Sequence, residues 1–389
     1  MRYNFDEVID RSGTDAEKVE GVKIFWNRTD LLPMWVADMD FRTAPFIVEA
    51  LRERLDHEIL GYTFRSDAWY DSIIEWLKQR FEWNVTREML NFSPGVVPGF
   101  TMAIQQFTQP GDKIMVQTPV YHPFFLSAER NHREVVYNPL KLVDGRYEMD
   151  MPLFEAQIKD CKMLILCNPQ NPSGRVWTKD ELQAIAKICY ESNVLVVSDE
   201  IHADLTFPQY RHYPFATVSE EARINSITLM SPSKAFNMPG LSTSYAVIPN
   251  EELCKRYAEQ VAINSVGEGH LFAFLSVAAA YSQGTDWLHQ VLAYVQENID
   301  YMDSFLKVHV PKIKVIRPQA SYLVFLDCRE LGLSQENLLR FFEDGAHLAL
   351  NNGAMFGANG EGFMRINVGC PRVTLEQAMK QLRDAFLTL

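Results

Sequence analysis

Three apolar runs in the middle of the chain each stop on a turn that carries a chemically reactive residue. KMLILC (162–167) meets NPQNPSG (168–174), VLVV (194–197) meets SDEIHADL (198–205), and SITLM (226–230) meets SPSKAFNMPG (231–240). Continuous runs of this length read as strands buried on both faces, which is the pattern of a parallel sheet covered by helices. KIMVQTP (113–119), REVVYNPL (133–140) and STSYAVIP (242–249) extend the series. Between two of the runs, TKDELQAIAKICYES reads as a helix. Thr178 and Glu181 have capping-box spacing, and Leu182, Ile185, Ala186 and Cys189 recur on one face. The expected fold is therefore α/β, a three-layer α/β/α unit with a mostly parallel sheet.

From about Glu251 the pattern changes. Long helical stretches run to about Val308, followed by ASYLVFLDC (320–328), a helix around ENLLRFFEDGA, GFMRINVG (362–369) and a last helix. Thr374 and Gln377 have the spacing of a capping box for that last helix. This reads as a smaller α+β unit. The predicted division is 46–284 for the large domain, with 1–45 and 285–389 forming the small domain and an N-terminal arm.

The whole chain has 389 residues and a formal net charge of −13. That balance offers no large basic surface, so no nucleic-acid partner is expected. The first residues, MRYNFDEVIDR, show no apolar leader segment, and no apolar run reaches the ~20 residues of a membrane span. The six cysteines form no C-x-x-C pair and read as buried free thiols, with no metal site or disulfide. A reducing cytoplasm is the expected compartment.

The strand ends define a candidate site. In open α/β sheets ligands sit beyond the carboxyl ends of the strands. There, Asn171 follows one run, Asp199 ends the next, and Lys234 follows the third. Each has an ordinary alternative: a capped turn for Asn171, a helix N-cap for Asp199, a surface turn for Lys234. SPGVVPG (93–99) before FTMAIQQF reads as a turn feeding a helix N-terminus, where free amides and the dipole favour phosphate. An ordinary loop-to-helix junction looks the same. Together these supply a phosphate cradle, an amide, a carboxylate and an amine, the set that pyridoxal phosphate needs.

NPQNPSG, SDEIHADL and SPSKAFNMPGL resemble the fold-type-I pyridoxal-phosphate enzymes, the aminotransferase class I and II superfamily, over essentially the whole chain. LPMWVADMDF (32–41), GYT (61–63), TPVYHPF (118–124) and NNGAMFGANGEGFMRINVGCP (351–371) are similar to its cystathionine β-lyase branch, the MalY/PatB-like C–S lyases. The resemblance implies that Lys234 bonds the coenzyme aldehyde and moves the substrate's α-proton. It implies that Asp199 partners the pyridine nitrogen, Asn171 the ring hydroxyl, and that Tyr121 stacks on the ring. Ser231, Ser233 and the amides of Gly95, Val96 and Val97 would hold the phosphate. The family often has an arginine eight positions after the lysine; this chain has Ser242 there. His202 stands where many aminotransferases have a tyrosine. Tyr62 matches a tyrosine that reaches the phosphate of a neighbouring subunit, which implies a homodimer. Trp35 and Asp38 fall in a substrate-side loop, and Arg365 matches the clamp for the substrate α-carboxylate. The implied activity is α,β-elimination from L-cystathionine or another cysteine S-conjugate. The alternative is amino-group exchange with an oxo acid through the same residues. A ligand sensor on this fold would carry an N-terminal DNA-binding domain, and MWVADMDF begins at residue 34, which leaves no room for one.

Overall fold

A computed structural model describes residues 2–389. The apolar runs form the middle of a seven-stranded sheet in the order Leu90–Ser93, Ser244–Val247, Ser226–Met230, Leu195–Asp199, Met163–Cys167, Lys113–Val116, Glu134–Tyr137. The last five are mutually parallel. Ser244–Val247 is antiparallel to both its neighbours, so Leu90–Ser93 points the same way as the five.

Alternation explains why these strands are apolar throughout. Ile114, Val116, Met163, Ile165, Val197 and Leu229 enter one core cluster. Met115, Leu164, Leu166 and Val196 enter another. Successive side chains point to opposite faces, so both faces of the sheet are covered. Helix Lys179–Glu191 lies on the second face, burying Leu182, Ile185, Ala186 and Cys189. Its capping box is formed: Glu181 N donates to Thr178 Oγ1 at 3.2 Å and Thr178 N to Glu181 Oε2 at 2.7 Å.

A second, antiparallel sheet has the order Lys314–Ile316, Leu323–Asp327, Phe363–Asn367, Asn351–Asn352. Helices Thr285–His309 and Arg372–Leu387 pack together beside it. The final helix departs from the capping-box expectation. It begins at Arg372, directly after Pro371, without a side-chain cap, and Thr374 lies inside its first turn. Proline before the first turn starts the helix earlier than the threonine. All six cysteines are buried and unpaired. No helix among the described residues is long and apolar enough to cross a membrane.

The two sheets meet at the turn after Cys167. Gly174 has φ +70°, and its carbonyl accepts from Gln319 N at 2.8 Å and Ala320 N at 3.1 Å. A Cβ there would fall inside the envelope of Pro318 and 2.8 Å from Ala320 O. Gly174→Ala is therefore expected to destabilise the chain by about 2–4 kcal/mol through backbone strain and overpacking. A denaturant titration checks this; an unchanged midpoint would contradict the close approach.

Candidate active site

Sheet register lines up the strand ends. Cys167 lies opposite Asp199, Asp199 opposite Leu229, and Ser93 opposite Ser244. The turns that follow therefore open on one side of the sheet.

A row of hydroxyls runs along one part of this edge. Ser231 Oγ donates to Thr243 O at 2.6 Å and accepts from Ser233 Oγ at 2.8 Å. Ser244 Oγ donates to Ser93 O, and Ser93 Oγ to Gly95 O. Gly95 caps helix Val96–Phe107, whose first amides, including those of Val96 and Val97, have no intrahelical acceptor. Thr243 Oγ1 is buried without a partner, whereas Ser242, the site of the missing arginine, is exposed. The structure thus brings Ser231, Ser233 and the helix start to one edge, and adds Thr243.

Asp199 is buried at its strand end. Its Oδ1 accepts from Ile201 N at 3.1 Å, a local turn rather than a helix cap, and it makes no ion pair among the described residues. Burial raises its pKa to about 7, opposed by the Ile201 bond; nearby Glu200 raises it further, and Lys234 lowers it. Lys234 Nζ donates to Ala37 O at 2.6 Å. Desolvation lowers the amine to about 8; Asp38 pulls it up, Arg365 pushes it down, and Asp199 pulls it up. His202 is buried with Nδ1 unpartnered. Burial, then the cations Lys234 and Arg365, push it down to about 3, so its ring is neutral. Tyr121 lies close enough to Arg365 and Asp199 to feel both charges, although burial dominates and raises its phenol. Its amide donates to Asn171 O at 3.1 Å.

Arg365 is buried on the inner strand of the second sheet. It donates to Asn171 Oδ1 at 3.1 Å, Asn351 Oδ1 at 2.5 Å and Trp35 O at 3.1 Å; Nε has no partner. Every acceptor is neutral. Desolvation lowers the guanidinium to about 10, with Tyr121 and Tyr322 acting in the opposite direction. A buried cation with no acid is costly, and this one is ready for an anion.

Two expected residues face the site differently, and a third lies apart from it. The Trp35 ring packs in T-shaped geometry on Phe25 and Trp26, and Nε1 donates to Lys18 O. Its backbone carbonyl, not its ring, reaches Arg365. The Asp38 carboxylate is bound by Arg11 at 2.6 and 3.1 Å, though near enough to influence Lys234. Tyr62 is fully exposed in a segment that is neither helix nor strand, outside this chain's own cluster. Conversely, sequence reasoning missed Asn351, Asn367, Tyr322 and Thr243. The spacing Arg365-x-Asn367 on a strand puts both side chains on one face, and that signal was available.

The aminotransferase class I and II family model matches residues 29–382. The chain belongs to this family. It is similar to cystathionine beta-lyase PatB of Bacillus subtilis, 41% identical over 384 residues that cover 98% of this chain and 99% of the relative. Among solved structures, cystalysin from Treponema denticola, which contains pyridoxal 5'-phosphate, aligns with a TM-score of 0.97 at 31% identity, covering 100% of both chains. The PLP-bound C–S lyase from Staphylococcus hominis aligns with a TM-score of 0.92 at 34% identity, covering 100% of this chain and 99% of that one.

The raised Asp199 has a measurable consequence in coenzyme-free protein. Its folded value near 7 exceeds the unfolded value of 3.8. The stabilising contribution is full below about pH 4 and is lost as pH rises through 7. Asp199→Asn removes that loss. The variant should gain roughly 1–3 kcal/mol on the wild type between pH 5 and pH 8. Urea titrations of both coenzyme-free proteins at the two pH values check this, and a pH-independent difference would contradict it.

Proposed function

We propose that this protein is a pyridoxal-phosphate-dependent carbon–sulfur β-lyase acting on L-cystathionine or related cysteine S-conjugates. The observation that carries the reading is a buried, acid-free guanidinium from the second sheet set near a desolvated amine and a buried carboxyl at the edge of the first. The relatives favour elimination over amino-group exchange.

The residues fit the coenzyme. Thr243 Oγ1, His202 Nδ1 and Arg365 Nε are buried polar atoms without partners, which is costly unless a bound group meets them. Ser231, Ser233, Thr243 and the amides of Gly95, Val96 and Val97 would take the phosphate. Asp199 would face the ring nitrogen, Asn171 and neutral His202 the ring hydroxyl side, and Tyr121 the ring face. When bound, the coenzyme draws off the negative charge left at Cα by loss of its proton.

Arg365 grips the substrate α-carboxylate through parallel charge-assisted hydrogen bonds, with Asn171 beside it. The Lys234 amine, with its basicity lowered by desolvation, takes the α-proton at Nζ. As the Cα–H and Cβ–S bonds break, a double bond forms between Cα and Cβ and the sulfur leaves with a proton. The released enamine takes up water to give pyruvate and ammonia. L-Cystathionine and water thus give homocysteine, pyruvate and ammonia, with no oxidant required.

The same reading includes a homodimer. Ile59, Leu60, Tyr62 and Phe64 are exposed along one segment, an apolar surface that a second copy would cover while Tyr62 reaches its phosphate site. It also includes a cytoplasmic location and the division at 46–284. The test is incubation of the loaded enzyme with L-cystathionine and no oxo acid. Equal thiol and pyruvate are expected. Absence of thiol, with amino exchange on adding an oxo acid, would favour an aminotransferase instead.

A further inference from the structure

Residues 35–41 form neither helix nor strand, yet side chains bind their backbone almost without interruption. Asn367 Nδ2 donates to Val36 O and Asp38 O, both at 2.6 Å. Lys234 Nζ and Tyr322 Oη converge on Ala37 O at 2.6 and 2.9 Å. Asn237 Nδ2 donates to Met39 O at 2.9 Å and Phe41 O at 2.7 Å, while its Oδ1 accepts from Met39 N at 2.9 Å. With Arg365 on Trp35 O, six backbone carbonyls of this strap are taken by side chains.

The two asparagines come from opposite sides of the site. Asn237 follows Lys234 by three residues, and Asn367 follows Arg365 by two on the same strand. One end of the strap is thereby fixed to the loop bearing the reacting amine, the other to the strand bearing the carboxylate clamp. Beneath it, Arg11 and Lys18 neutralise Asp38 and Asp40. Lys18 Nζ lies 2.7 Å from Asp40, and Arg11 2.6 Å from Asp38 and 2.9 Å from Asp40. Lys18 is only 1% exposed, so the strap's acids are tied to a fixed cation.

We propose that Asn367 and Asn237 are positioning residues that use the 35–41 strap to hold Arg365 and Lys234 in register. The inference rests on the roles assigned to those two residues above. Asn367 is the sharper probe because both its hydrogens are donated to the strap, while Oδ1 accepts from Gly369 N at 2.8 Å. An aspartate there keeps the shape but has no hydrogens for the two carbonyls.

The experiment compares coenzyme-loaded wild type, N367D, N237D and N298A. Asn298 is a control: its Nδ2 donates to Val368 O at 3.0 Å and Cys370 O at 2.8 Å, on the same chain segment, but makes no hydrogen bond to the strap itself. The readouts are the dissociation constant for glycine, which has no β-leaving group, from the coenzyme absorption change, and kcat and KM on L-cystathionine. N367D should weaken glycine binding about 10-fold or more and lower kcat, with coenzyme content retained. N237D should do the same to a smaller extent, and its partly exposed site lets the chain fold should N367D not. N298A should lower stability and leave glycine affinity unchanged. Glycine affinity within twofold of wild type in both strap variants, or an equal loss in N298A, would overturn the proposal. A wild type whose absorption responds to no amino acid would instead bring down the underlying functional reading.

Discussion

Lys234→Ala is expected to reduce elimination from L-cystathionine by about 10^4-fold or more, because it removes both the covalent tether and the proton carrier. Another base does not stand in for it: among the described residues, Lys234 is the one lysine lining its cavity. Lys18, which is buried, is occupied by Asp40. The variant should still fold. Lys234 makes a single side-chain hydrogen bond, to Ala37 O, and Tyr322 remains on that carbonyl. Relieving a desolvated ammonium also offsets the lost bond. Stopped assays of pyruvate, with the absorption spectrum of the same sample, separate lost chemistry from lost coenzyme. Turnover within tenfold of wild type would remove Lys234 from the reaction.

Arg365→Met is expected to lower kcat/KM by about 10^2–10^4, the loss from removing one partner of a buried charge-assisted pair. Arg365→Lys should recover little, because a point charge cannot reproduce the two parallel donors. The same change should leave the coenzyme-free chain as stable as wild type or more so. In the free protein the guanidinium has Asn171, Asn351 and the Trp35 carbonyl as acceptors and the Phe356 ring beneath it, but no anion, so its burial is only partly compensated. Activity and stability moving in opposite directions would mark a residue kept for a ligand. Parallel losses in both would mark a structural one. Kinetics on L-cystathionine and thermal melts of the coenzyme-free variants provide the two numbers.

The sheet and three of its reactive ends were legible because strands buried on both faces must be apolar throughout, and the turn after each run is then exposed to interpretation. That rule makes Lys234, Asp199 and Asn171 candidates, each with an ordinary alternative, and the resemblance gave them their roles. Arg365 was reached only by resemblance, since an arginine inside a short antiparallel strand ordinarily reads as a structural ion pair. The direction of Ser244–Val247 was hidden because an apolar run does not reveal whether its neighbours are parallel. Arg365 and Tyr322 reach partners far along the chain: Arg365–Trp35 spans 330 residues and Tyr322–Ala37 spans 285. Nothing local to either residue records such a pairing. Trp35 illustrates the reverse. Its neighbourhood in LPMWVADMDF pointed to the site, yet its ring fills the space against helix Glu17–Trp26 and only its carbonyl faces inward.

The coenzyme's attachment point can be read directly. The protein is loaded with pyridoxal phosphate, treated with borohydride to fix the carbon–nitrogen bond, digested, and its peptides weighed. The reduced coenzyme should appear on the peptide containing Lys234 and on no other. An adduct on a different lysine, or none after loading in excess, would contradict the site described above.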